Sequence, residues 1–260
     1  MTTRRLFSIL LATSLIFLLP ACSDDDDPAD PGGGNGGTVT DPVGQVLQEE
    51  VPALAKDIVA MVPALATGQL GGKDAEDPYF DETCSCWRWS EYDGEYSENS
   101  YWESSTNYAV TFYAEDVPQM LFEGSDRTEV SVSHAYYESD YTGEGLPPQD
   151  KYSTKSVTYA LNGEITMVSE GVAQVSGSGT GQMSGGTGVG DDWEGYSEEF
   201  TISLDMTQPL TQCPTGELDF DMDAVSFSVA FDGSSTALWF YAVGPGDPTT
   251  GTFPIPCGSR

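Results

Sequence analysis

His134 is the only histidine in the chain, and so the one side chain with an ordinary pKa suited to general-base work near neutral pH. It sits in Val132-Ser133-His134-Ala135-Tyr136, between apolar residues on one face of an alternating run. That placement reads as a hydrogen-bonded core or rim histidine. No G-x-S-x-G elbow accompanies it, so a serine hydrolase would lack both its base and its nucleophile. Asp219-x-Asp221-x-Asp223 imitates the start of a calcium loop. Ala224 stands where that loop needs Gly, however, and Ala230 where it needs the bidentate Glu. Paired carboxylates for sugar hydrolysis stay open as a reading, because 42 acids make many pairs and none is singled out. No cofactor or metal is expected.

The most suggestive binding feature is aromatic. Trp87, Trp89, Tyr92, Tyr96 and Trp102 fall in one short span, joined by Tyr101, Tyr108, Phe112 and Tyr113. Aromatic faces stack on sugars and on flat or apolar ligands, so these residues are candidates for a ligand site. The competing reading is that they fill a core or rim. A second candidate is one strand read from Ile165 to Met183, whose odd positions carry mostly small residues from Ser169 to Gly181 and would leave a groove for an elongated apolar ligand unless the helix or aromatic neighbours cover it.

Five cysteines are present. Cys84, Cys86, Cys213 and Cys257 are an even set with the spacing of staples, since Cys-x-Cys is too close for the usual zinc knuckle. Two disulfides are expected. Cys84 and Cys86 would share one strand face, so a bond from each to Cys213 and Cys257 is favoured. A Cys213–Cys257 bond beside an 84–86 pair is the alternative.

The elements that must position these residues show in the periodicity. Asp41 can cap a helix and Pro42 suits its first position. Apolar residues then recur at 43, 46, 47, 51, 54, 58, 61, 62 and 65, with a kink or break expected at Pro52 and an end at Pro63 to Gly68. From Thr83 the period changes to two. Tyr108, Val110 and Phe112 share a face, as do Phe200, Ile202, Leu204 and Met206. Asp93-Gly94, Asn162-Gly163 and Asp232-Gly233 have the composition of hairpin turns, and 185–195 that of a loop. The fold class is therefore mainly β: a single antiparallel meander of nine or ten strands, forming a curved sheet or barrel with one N-terminal helical segment packed against it.

The first residues set the compartment. Arg4-Arg5 precede the unbroken apolar run 6–19, followed by Pro20-Ala21-Cys22. The run is too short for a spanning helix and has the order of an export signal, the general secretory route being favoured over the twin-arginine one. Leu19-Pro20-Ala21-Cys22 resembles the lipobox of bacterial lipoproteins. The resemblance covers residues 1–22 and implies lipidation of Cys22 and removal of residues 1–21, with Ser23 pointing to the outer membrane. Residues 22–41 then form an acidic, Gly-rich tether, 42–68 the helical segment and 69–260 the β domain.

With two of the nine bases gone with the leader, seven oppose 42 acids, a formal charge of −35. Such a surface repels nucleic acid and anionic headgroups, leaving the lipid anchor as the contact with the membrane. The function expected is a non-catalytic binding or envelope-structural role, not an enzyme, with a small molecule or glycan as the candidate ligand and no protein partner indicated. A carrier of an apolar ligand in a curved-sheet cavity is the first alternative. A carboxylate-based glycoside hydrolase is the second.

Overall fold

The computed structural model describes residues 39, 41–70, 77–97, 99–142, 151–189 and 192–257. The leader, Cys22 and nearly all of the tether lie outside them. The helix α1 spans Pro42–Leu65 and begins as its sequence directs. The Asp41 carboxylate accepts from the Gly44 N–H at 2.8 Å, and Pro42 occupies a position whose N–H would have no partner. The same carboxylate also accepts the Tyr241 hydroxyl, with 2.8 Å to each oxygen. The Tyr241 ring can come this close because residue 44 is glycine. A Cβ there would lie 2.6 Å from it.

Contrary to the expected break, α1 runs unbroken through Pro52 and Pro63 to Leu65. Packing overrides propensity here, since Val46, Leu47, Val51, Ile58, Val59 and Val62 are all buried against the sheet. Burial of each such side chain contributes about 1.5–3 kcal/mol, against about 3 kcal/mol for an interior proline. The cost of Pro63 is also met locally. It has no N–H for the Val59 carbonyl four residues back, and the buried Gln208 amide donates to that carbonyl instead, at 3.0 Å.

Twelve strands follow: β1 (Tyr79–Asp81), β2 (Cys86–Tyr96), β3 (Ser100–Ala114), β4 (Val117–Gln119), β5 (Arg127–Thr142), β6 (Lys151–Ser169), β7 (Val172–Val189), β8 (Asp192–Pro209), β9 (Thr215–Asp221), β10 (Val225–Asp232), β11 (Thr236–Val243) and β12 (Thr249–Pro254). They form one antiparallel sheet in chain order, with β4 as a short branch on β3. The sheet is open, β1 and β12 being its two ends, so the barrel alternative is set aside. The single meander with one packed helix stands.

Several boundaries differ from the sequence reading. Asp93-Gly94 and Asn162-Gly163 lie within β2 and β6, not at turns. In β6 the apolar alternation Val157, Tyr159, Leu161, Ile165 passes through Gly163 without losing its face, and Gly163 simply pairs with Gly177. The chain reverses instead at Glu170-Gly171, where Gly171 has φ +74°, so Ile165 and the glycine run lie on different strands. The segment 185–195 is largely the ends of β7 and β8. Asp232-Gly233 does fall in the β10–β11 turn.

The cysteines pair as the less favoured alternative had it: Cys84 with Cys86, and Cys213 with Cys257. Cys84 belongs to the turn before β2 and not to a strand, and the left-handed backbone of Ser85, φ 53°, turns it toward Cys86. The second bond encloses four strands, β9 to β12.

Candidate functional site

One face of the sheet is packed by α1, and the fill is nearly complete. The glycine run of β7 leaves no channel. A Cβ at Gly181 would meet the Phe200 ring at 2.3 Å, one at Gly185 the Tyr196 hydroxyl at 2.8 Å, and one at Gly179 the β6 backbone. Aromatic neighbours and strand backbone occupy the space the missing side chains vacate. On the face that carries these glycines the groove is closed.

An opening remains where the C-terminal half of α1 passes over β2, β3, β5 and β6. This cleft has a volume of about 280 Å³. Its apolar lining comes from Leu54, Ile58, Met61 and Leu65 on the helix and from Val132 and Leu161 on the sheet. Trp89 on β2 and Tyr108 on β3 are direct cross-strand partners, and their rings stack at 4.8 Å, nearly parallel. Tyr159 on β6 stacks in turn on His134, ring centroids 4.9 Å apart.

The polar groups of the cleft are few and uneven. Trp89 is 5% exposed, and its indole N–H has no acceptor among the described residues. That nitrogen is itself sealed by its neighbours, so the cleft meets the Trp89 ring and not its N–H. Asp57 from α1 and Glu91 from β2 also line the cleft. Burial of its surroundings, and then the Glu91 charge, push the Asp57 carboxyl above the usual carboxylate range. The Tyr108 hydroxyl donates to Glu91 at 3.4 Å, and its pKa is raised by burial and by Glu91. His134 bonds the Thr106 hydroxyl through Nδ1 at 2.8 Å, and burial lowers its pKa. It is the hydrogen-bonded rim histidine that its strand position implied.

The five aromatic candidates do not converge. Trp89 alone lines the cleft. Trp87 shares its face but is spent on structure, donating to the Met120 carbonyl at 2.9 Å and meeting Phe80 edge-on. Tyr92 and Tyr96 are well exposed on the opposite face of β2. Trp102 lies farther along β3, over Tyr136. Asp57, Glu91, Thr106, Tyr108 and Tyr159 come together only through the packing of α1 on four strands. Of these, sequence reasoning singled out Tyr108 alone, as a member of the aromatic span.

A second polar cluster ties the first half of α1 to the sheet. The half-buried Lys155 of β6 reaches Glu49 at 2.7 Å, Glu50 at 3.2 Å and Glu138 at 3.9 Å, over the Tyr136 ring. Its charges are paired with one another, which marks it as a fastener.

Compared with known proteins, the chain matches no family model, no curated sequence and no solved structure. Its function has to be read from the cleft.

Proposed function

We propose that this is an outer-membrane lipoprotein, anchored through Cys22, whose β domain is a non-catalytic module that binds a small apolar-bodied ligand between α1 and the sheet. The observation that carries this reading is the cleft itself. Between α1 and the sheet an opening remains, lined by apolar side chains and by the stacked Trp89–Tyr108 pair. A ligand with a compact apolar body would fill the opening and lie against the Trp89 ring. The cleft volume lies at the small end of ligand sites, which run from about 300 Å³ upward, so the ligand is about the size of one substituted ring. The lipid and the acidic tether would hold the module off the membrane surface. Saturation-transfer NMR of the full mature chain with 4-methylbenzamide, a neutral ring with a carbonyl acceptor, tests the reading. Binding that weakens in Trp89→Phe supports it, and no binding at millimolar concentrations leaves a purely structural role.

A second reading rests on Asp57 and Glu91 sharing an aromatic cleft, with Asp57 held toward its protonated form. That is the arrangement of a general acid beside a second carboxylate in glycoside hydrolysis. Release of the aryl group from aryl glycosides, lost in Asp57→Asn, would favour it over the binding module.

A further inference from the structure

The face of the sheet turned away from α1 carries a second constellation, independent of the cleft. Tyr92 and Tyr96 of β2, Tyr101 of β3, Tyr137 and Tyr141 of β5 and Tyr152 of β6 all project from it. Strand alternation, with the cross-strand pairs Tyr96–Tyr101 and Tyr141–Tyr152, puts them on one side. The Tyr101 ring links them, 6.4 Å from that of Tyr96 and 6.1 Å from that of Tyr137. Tyr92 and Tyr96 are 68% and 80% exposed. The acids of the same strand ends, Glu91, Asp93, Glu95, Glu138 and Asp140, alternate to the other side. Of the described residues between the tyrosines only Glu103 is charged, and its carboxylate accepts the Tyr101 hydroxyl at 2.5 Å. An exposed aromatic band that keeps charge out, in a chain this acidic, marks a binding surface.

The band runs into an open trough on the same face, with a volume of about 1020 Å³. Its lining includes Asn107, Ser133, Thr158, Thr180, Gln182 and Thr201, drawn from β3, β5, β6, β7 and β8. Ser105, the strand partner of Tyr92, lines the trough where it meets the band. Among the described residues no Lys or Arg lines it, and its carboxylates, Glu199, Asp221 and Asp223, lie on the β8–β9 side. Aromatic rings take the apolar CH faces of sugars, and neutral amides and hydroxyls take sugar hydroxyl groups. We propose that this face binds a neutral glycan chain, its sugar rings stacked along the tyrosines and its hydroxyls bonded in the trough. From β2 to β8 the surface crosses six strands, about 24 Å, which suits several linked sugars and not one. The net negative charge turns anionic glycans away.

Affinity electrophoresis of the full mature chain in mild detergent tests this. The native gels contain mixed-linkage β-glucan, xyloglucan, galactomannan or glycogen, with polygalacturonate as the anionic control. Retardation by at least one neutral polysaccharide, and none by polygalacturonate, is expected. The double variant Tyr92→Ala, Tyr96→Ala removes two rings that stand in solvent, so the fold should be kept, and thermal unfolding verifies that. Its apparent Kd for the retarding polysaccharide should rise about tenfold. Gln182→Ala should weaken the same interaction, since band and trough hold one chain. No retardation by any of the four overturns the inference, as does equal retardation of wild type and double variant. Retardation by polygalacturonate as strong as by the neutral polymers overturns it too. So does a concentration-dependent dimer, seen by sedimentation and lost in the double variant, since the tyrosine band would then meet a second copy. The cleft lies on the opposite face, so loss of 4-methylbenzamide binding and loss of glycan binding are separate results.

Discussion

At the scale of single residues, two polar side chains at the packing of α1 on the sheet, Gln208 and His134, give tests of their surroundings. Gln208 supplies the Val59 carbonyl with the donor that Pro63 cannot. Gln208→Leu is expected to cost about 1–3 kcal/mol in chemical denaturation, because it strands a buried carbonyl. Pro63→Ala returns an N–H to the helix, so the double variant should recover most of that loss, a coupling that a double-mutant cycle reads directly. His134 gives a pH test. Its native pKa is lowered from 6.5 by burial, so between the native midpoint and 6.5 the unfolded chain binds more protons than the folded one. Its contribution to stability is complete above pH 6.5 and is lost as the pH falls through the native midpoint. Asp57 and Glu50, with raised values, act with the opposite sign at lower pH. The imidazole resonance of this single histidine should titrate below pH 6.5, and a midpoint at or above 6.5 would contradict the burial described for it.

At the scale of elements, the fold was legible wherever one periodicity persisted. The stripe along α1 and the faces through Tyr108–Phe112, Val130–Tyr136 and Phe200–Met206 are buried or half-buried on the side their spacing implies. Turn chemistry misled where it met that periodicity, because Asn162-Gly163 has the composition of a hairpin yet lies inside a strand whose apolar face continues on both sides. The disulfides were misjudged for a related reason. Placing Cys84 on a strand ignored the left-handed turn at Ser85, which no pattern of apolar residues announces. The two bonds should differ in worth. Cys213–Cys257 spans 44 residues, and by loop-closure entropy its removal costs about 4 kcal/mol, whereas the Cys84–Cys86 loop is too short to constrain the unfolded chain appreciably. Paired serine variants compared by thermal unfolding would show it, and equal losses would argue against that assignment of roles.

At the scale of the molecule, an open twelve-stranded sheet keeps its apolar face dry by laying one proline-bearing helix along it, fastened through Tyr241 and Asp41 at one end and Lys155 farther along. The cleft is what that packing leaves unfilled. It was barely legible in the sequence because Asp57, Glu91 and Tyr159 lie far apart in the chain and carry no motif. Trp89 was visible as an aromatic, but its unpaired N–H becomes visible only once its neighbours are in place. The most direct test follows the five tryptophan indole N–H resonances of the full mature chain, with Trp89 assigned by Trp89→Phe, during titration with 4-methylbenzamide. The Trp89 signal should shift as a ligand ring settles beside its indole, while that of Trp87, bonded to the Met120 carbonyl away from the cleft, stays in place. A Trp89 signal that remains still while other residues respond would place binding elsewhere and contradict the cleft as the site.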